Sequence, residues 1–106
     1  MRQMIRWALE EEGFAVETAA DGEQALERAA SRQPALVVLD LLLPFRSGEA
    51  VSDWLRATYG GQCPILVITA DGRPAEKAQR VRAFAYLTKP FEVDDLLTLV
   101  RQGLGG

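Results

Sequence analysis

Two uninterrupted apolar runs, residues 35–39 and 65–68, constrain the fold of this chain more than any other feature. A strand with one wet face alternates apolar and polar side chains. A run that is apolar at every position is covered on both faces, as in a parallel sheet sandwiched between helices. The runs stop abruptly at polar residues, Asp40 after the first and Thr69 and Asp71 after the second. Residues 84–88 predict a third short strand, followed by Lys89-Pro90-Phe91, and residues 14–18 (Phe-Ala-Val-Glu-Thr) alternate as a fourth.

Helical signals fill the intervals. Ile5, Ala8 and Leu9 share one helical face, and Gly13 stands where a helix C-cap glycine belongs. Asp21 followed by Gln24 is a capping-box pattern opening a helix that turns Ala25, Leu26 and Ala29 inward and ends before Pro34. Residues 48–58 predict a helix with Val51, Trp54 and Leu55 inward, closed by Gly60-Gly61. Pro74 suits the first turn of another, with Ala75, Ala78 and Val81 on one side. A last helix over 93–102 buries Leu96, Leu97 and Val100, and Glu92, Asp94 and Asp95 lie near its positive end. Strict alternation of helix and strand means an α/β fold with a mostly parallel sheet and right-handed crossovers. At 106 residues the chain is expected to be one domain, 1–106.

Composition removes several function classes. One cysteine and no histidine exclude a disulfide framework, a Cys/His zinc site and every His-based triad. Cys63, before Pro64 and an apolar run, reads as a packed residue at a strand start. The formal charge of -3 gives no electrostatic footprint for nucleic acid, so none is expected to bind this chain alone; Lys77, Arg80 and Arg82 read as one wet helix face. The chain opens without an apolar signal region, and no apolar stretch is long enough to span a bilayer, so a cytoplasmic protein with no membrane partner is expected.

In an open parallel sheet, ligands bind beyond the carboxyl ends of the strands. Asp40, Thr69 and Lys89 occupy three such ends. Singly, Asp40 reads as a turn former or helix cap, Thr69 as a strand-end residue and Lys89 as a solvated charge. Together they suit one task. A carboxylate can attack phosphorus to give an acyl phosphate, and a hydroxyl and an ammonium can then bind the phosphoryl oxygens.

Four segments carry a resemblance to the receiver domains of bacterial-type response regulators. Asp40-Leu-Leu-Leu-Pro44-Phe-Arg-Ser-Gly48 resembles their phosphorylation-site loop, and Pro64-Ile-Leu-Val-Ile-Thr69-Ala70 their fourth strand. Tyr86-Leu-Thr-Lys89-Pro90-Phe91 resembles the fifth-strand signature, and Ala20-Asp-Gly-Glu-Gln-Ala-Leu26 the start of the second helix. The resemblance implies a flavodoxin-like, doubly wound sheet of order 2-1-3-4-5. It implies that Asp40 accepts a phosphoryl group from a histidine kinase or histidine phosphotransfer protein, with Thr69 and Lys89 on the phosphate. Tyr86 would be the switch aromatic, with a plain core or edge aromatic as its other reading. Pro44, Gly48 and Pro90 would be structural, the Lys89-Pro90 bond being cis. Mg²⁺ would be held by Asp40 and the Leu42 carbonyl. The face built from residues 73–103, including Arg80, Arg82 and Tyr86, would be the output surface for a homodimer or a downstream effector.

The chain departs from that family in two places. The family's first strand, ending in an acidic pair that binds Mg²⁺, has no counterpart here, and Glu10, Glu11 and Glu12 lie at the wrong end of the first helix to substitute. The expectation is a start codon set too late, with a strand of roughly five to ten residues before Met1, because Thr69, Lys89 and Tyr86 all remain. The alternative is a degenerate pseudo-receiver that docks to partners without phosphorylation. Residues 81–86 lack the usual Ala-Gly-Ala turn and read as a couple of residues short. A flavodoxin-like cofactor binder is disfavoured because the chain has no glycine-rich phosphate loop.

Overall fold

The computed structural model describes residues 2–19, 21–40, 45–70 and 72–105. In chain order they form α1 (Arg2–Glu11), α2 (Gly22–Ser31), β1 (Val37–Asp40), α3 (Phe45–Tyr59), β2 (Ile65–Thr69), α4 (Pro74–Arg80), β3 (Ala85–Thr88) and α5 (Val93–Gly103). The strands make one parallel sheet of order β1-β2-β3, with Leu39 beside Val67 and Val67 beside Tyr86. The α/β doubly wound architecture is as the alternating pattern predicts.

β2 is the centre of the molecule. All five of its residues are buried, because both edges are paired and both faces are covered. Ile65 and Val67 pack into a core with Ala29 of α2, Val51 and Leu55 of α3, and Val81. Leu66 and Ile68, on the opposite face, pack with Ile5 and Leu9 of α1 and Leu96, Leu97 and Val100 of α5. The period of two along one strand thus divides the helices into two layers. In β1 only Leu39 is buried; Val37 and Val38 are half-buried and Ala35 is exposed, so cover on both faces holds in full for β2 alone.

The helix ends follow the sequence signals. The Asp21 carboxylate accepts the Gln24 amide at 2.9 Å, capping α2. α1 closes on Gly13 (φ +91°), with the Phe14 amide donating to the Leu9 carbonyl and Gly13 to Glu10, the Schellman pattern. α4, with Pro74 in its first turn, closes on the same pattern: Ala83 donates to Ala78 and Arg82 to Gln79. Here the left-handed position is filled by Arg82 (φ +56°) rather than glycine. The connection that reads as short is therefore a complete helix stop without its usual residue. α3 begins at Phe45, earlier than expected, and Gly48 is a buried residue within it rather than its start.

One strand expectation is corrected. Residues 14–18 take no place in the sheet, although Phe14, Val16 and Thr18 are half-buried and Ala15 and Glu17 exposed. The segment keeps the alternation of a strand, and Phe14 and Val16 pack on the α1/α5 core. It lacks a neighbouring strand, among the described residues, to complete a ladder. A strand exists only where another backbone accepts its amides.

Candidate functional site

The carboxyl edge of the sheet brings the three sequence-selected residues together. Asp40 ends β1 and Thr69 ends β2, while the Lys89 amide donates to the Thr69 carbonyl at 3.0 Å, extending the β2–β3 ladder by one residue. β1 and β3 flank β2, so their ends are about 10 Å apart at the usual strand spacing. A short side chain on β3 would not reach β1. Lysine does: the Lys89 Nζ donates to both oxygens of Asp40, at 3.0 and 3.1 Å. Near-equal distances place the ammonium close to the bisector of the carboxylate.

Both partners are shielded, the Lys89 side chain 11% exposed and that of Asp40 28%. Partial desolvation and two charge-assisted contacts make this pair stronger than the surface pairs Arg6–Glu10 or Arg73–Glu76. Thr69 lies between them in strand order and is buried. The Lys89-Pro90 peptide is cis, as the resemblance implies. Leu42 and Pro44 lie outside the described residues.

Tyr86 points away from the interior and is 43% exposed. With Phe84, also exposed, it borders a groove of about 390 Å³ lined by Ala75, Ala78 and Ala83. Arg80 and Arg82 are exposed nearby in sequence. The sequence reading missed Ser52, a buried hydroxyl on α3 that donates to the Val81 carbonyl at 2.5 Å. That bond ties α3, which follows Asp40, to the turn that launches β3. The available signal was a polar residue beside Val51 on the inward stripe of a helix. Cys63 is buried as expected, and burial pushes its thiol up from its ordinary range.

Members of the family the chain resembles typically bind Mg²⁺. The described residues do not fit that ion. Among them no three Asp, Glu, Cys or His side chains converge, and the one carboxylate at the sheet edge is already neutralised by Lys89. A hard dication needs an octahedron of oxygens, and one shared carboxylate is a poor start.

Comparison with known proteins agrees with this geometry. Residues 1–101 match the family model described as response regulator receiver domain. The chain is 41% identical over 103 residues to the response regulator MprA of Mycolicibacterium vanbaalenii, covering 95% of this chain and 44% of that protein. It therefore spans less than half the length of that relative. Among solved structures it is similar to a response regulator receiver protein from Burkholderia phymatum, with a TM-score of 0.82 and 32% identity over 98% of this chain and 86% of that one. The chemotaxis response regulator CheY4 of Vibrio cholerae gives 0.80 and 32%, over 97% and 88%. No helix among the described residues is long and apolar enough to cross a membrane. A parallel sheet with an aspartate, a threonine and a lysine at its three carboxyl ends, matched by a family model over nearly its whole length, makes this chain a member of the response regulator receiver family of two-component signalling.

Proposed function

We propose that Asp40 is the phosphoryl acceptor of this cytoplasmic receiver domain, that its donor is a phosphohistidine on a histidine kinase or histidine phosphotransfer protein, and that residues 1–106 act as one switching unit. The observation that carries this reading is the two-point contact of Lys89 with Asp40 beside buried Thr69. In the transfer, an Asp40 oxygen attacks phosphorus, the P–N bond to the donor imidazole breaks, and the imidazole nitrogen takes up a proton. The ammonium, already on both carboxylate oxygens, keeps the carboxylate in place before transfer and meets the phosphoryl oxygens after it. The Thr69 hydroxyl is the second donor.

The added group brings about -1.5 to -2 charges and three strong acceptor oxygens. Drawing Lys89 and Thr69 toward it pulls on the ends of β3 and β2, the strands that carry Tyr86 and the groove against α4. The 73–103 face is then the output surface, for a second copy or an effector; receiver domains interact with histidine kinases and effector domains. The domain signals rather than turning over substrate, and any phosphotransfer or dephosphorylation it assists is its own.

Incubation with acetyl phosphate and Mg²⁺, followed by intact mass spectrometry, is expected to add one phosphoryl group that Asp40→Asn abolishes. An unmodified chain would favour a pseudo-receiver that docks without phosphorylation, a reading also consistent with an Asp40 already neutralised by Lys89.

A further inference from the structure

We propose that Ser52 is a positioning residue of the switch: its bond to the Val81 carbonyl fixes the C-terminal end of α4 to α3, so that α4 turns about that end when Thr69 moves. This rests on the reading of Asp40 as the acceptor. The first support is what the helix stop leaves undone. In the turn that ends α4, Arg82 donates to the Gln79 carbonyl and Ala83 to the Ala78 carbonyl, at 3.1 and 2.8 Å. That pattern gives the Val81 carbonyl no donor, and Val81 is fully buried. A buried acceptor left without a donor is costly. Ser52, itself only 3% exposed, supplies the donor from α3 at 2.5 Å. The next residue, Arg82, is left-handed at φ +56°, a conformation that a residue with a Cβ keeps only where its surroundings impose it. The held Val81 carbonyl before it and the Phe84 amide on the Ile65 carbonyl after it impose it.

The second support is that α3 is itself fixed. Val51 and Leu55, beside Ser52 on the helix, are buried against β2, and the Tyr59 hydroxyl in the last turn donates to the Ala29 carbonyl of α2 at 2.6 Å. α3 is thus tied to the sheet at its middle and to α2 at its end, and a bond from it to α4 is a bond to the body of the molecule.

The third support is the asymmetry of α4. Pro74 is half-buried and Ala75 and Glu76 are exposed, whereas Ala78 and Val81 are buried. The N-cap position holds Arg73, whose side chain has no acceptor for the first amides of the helix. The well-packed, bonded end of α4 is therefore the far one, and the lightly packed end is the one that follows Thr69 in the chain. A pull on Thr69 tilts the first turn while the last stays in place. Ala75 then moves relative to Phe84 and Tyr86, which the ladder to β2 holds, and the groove they line changes shape.

The test uses the full ¹⁵N-labelled chain, with amide exchange in the free protein and amide shifts on adding fluoroberyllate, a phosphoryl mimic that bonds to carboxylate oxygen, with Mg²⁺. In the wild type, shift changes along α4 are expected to be largest at Ala75–Lys77 and to fade toward Arg82 and Ala83. Ser52→Ala is expected to speed exchange of the Arg82 and Ala83 amides about tenfold or more relative to those of Leu66–Ile68, and to spread the fluoroberyllate response to Val81–Ala83. Ser52→Cys, which keeps the size of the side chain but is a weak donor, is expected to behave like Ser52→Ala. A wild-type response as large at Arg82 and Ala83 as at Ala75 would overturn the proposal and leave the acceptor reading standing. So would wild-type exchange in Ser52→Cys, or exchange in Ser52→Ala that rises equally at Leu66–Ile68, the mark of a merely structural residue. A wild-type chain that does not respond to fluoroberyllate at all would overturn the acceptor reading, and the proposal with it.

Discussion

The chain contains the same local device twice, and the two copies end differently. α1 closes on Gly13 in the left-handed conformation and leads into residues 14–18; α4 closes on Arg82 in that conformation and leads into β3. Both following segments alternate in burial, half-buried at Phe14, Val16 and Thr18 in one and at Ala85 and Leu87 in the other. Only the second is a strand. Its neighbour β2 supplies the ladder, beginning with the Phe84 amide on the Ile65 carbonyl at 2.9 Å. Glycine at the turn does not make a strand, and arginine there does not prevent one. The decisive factor is the backbone alongside.

The same contrast explains where the site can be. A residue placed for chemistry needs a strand end that does not drift, and the three strand ends with partners carry Asp40, Thr69 and Lys89. Ladder bonds set the height of each residue at the sheet edge, and Lys89 then spans β2 to reach Asp40.

Native-state hydrogen exchange gives the widest separation between the two copies. The Phe84 and Lys89 amides are expected to exchange only with large-scale opening, of order 5–15 kcal/mol for a typical domain, and the Ala15 and Glu17 amides near the unprotected rate. Equal protection in both segments would remove the contrast. Next in size are core truncations measured by urea unfolding. Ile68→Ala, at a fully buried site beneath both α1 and α5, is expected to cost about 2–5 kcal/mol. Val16→Ala, on the unpaired segment, is expected to cost about 1 kcal/mol or less.

The turns themselves give a smaller, opposed pair. Arg82→Gly is expected to stabilise by about 1 kcal/mol, since a left-handed L-residue costs about 1–2 kcal/mol and glycine returns part of that as unfolded-chain entropy. Gly13→Ala is expected to destabilise by a similar ~1 kcal/mol, with open space around the added Cβ and only the backbone φ opposing it. Smallest is the effect of Cys63. Its folded thiol is raised above the ordinary value of 9.0, so its contribution is complete below that pH. The unfolded thiol ionises first as pH rises, and stability is expected to fall there; Cys63→Ala should flatten that part of the profile.

Most of the architecture was legible because it depends on local pattern. The run at 65–68 pointed to a doubly covered strand, Asp21 with Gln24 to a helix cap, and Gly13 to a helix stop, and each is found there. The strand ends, and so the candidate residues, followed from those runs. What failed to show in the sequence depends on pairs. Nothing in Phe14-Ala-Val-Glu-Thr18 says whether a neighbour is present, nothing in Arg82 signals a left-handed turn, and the Ser52 bond to Val81 joins residues 29 apart. The two-point contact of Lys89 with Asp40 is of the same kind, since only the strand order reveals that one long side chain must cross β2.

The most direct test of the account is where phosphate lands. After labelling with acetyl phosphate and trapping of the acyl phosphate by borohydride reduction, peptide mass spectrometry should find the modified residue. The account expects one modified position, Asp40, with labelling lost in Asp40→Asn. Labelling at any other residue, or an unlabelled Asp40 in a chain that remains folded, would contradict it.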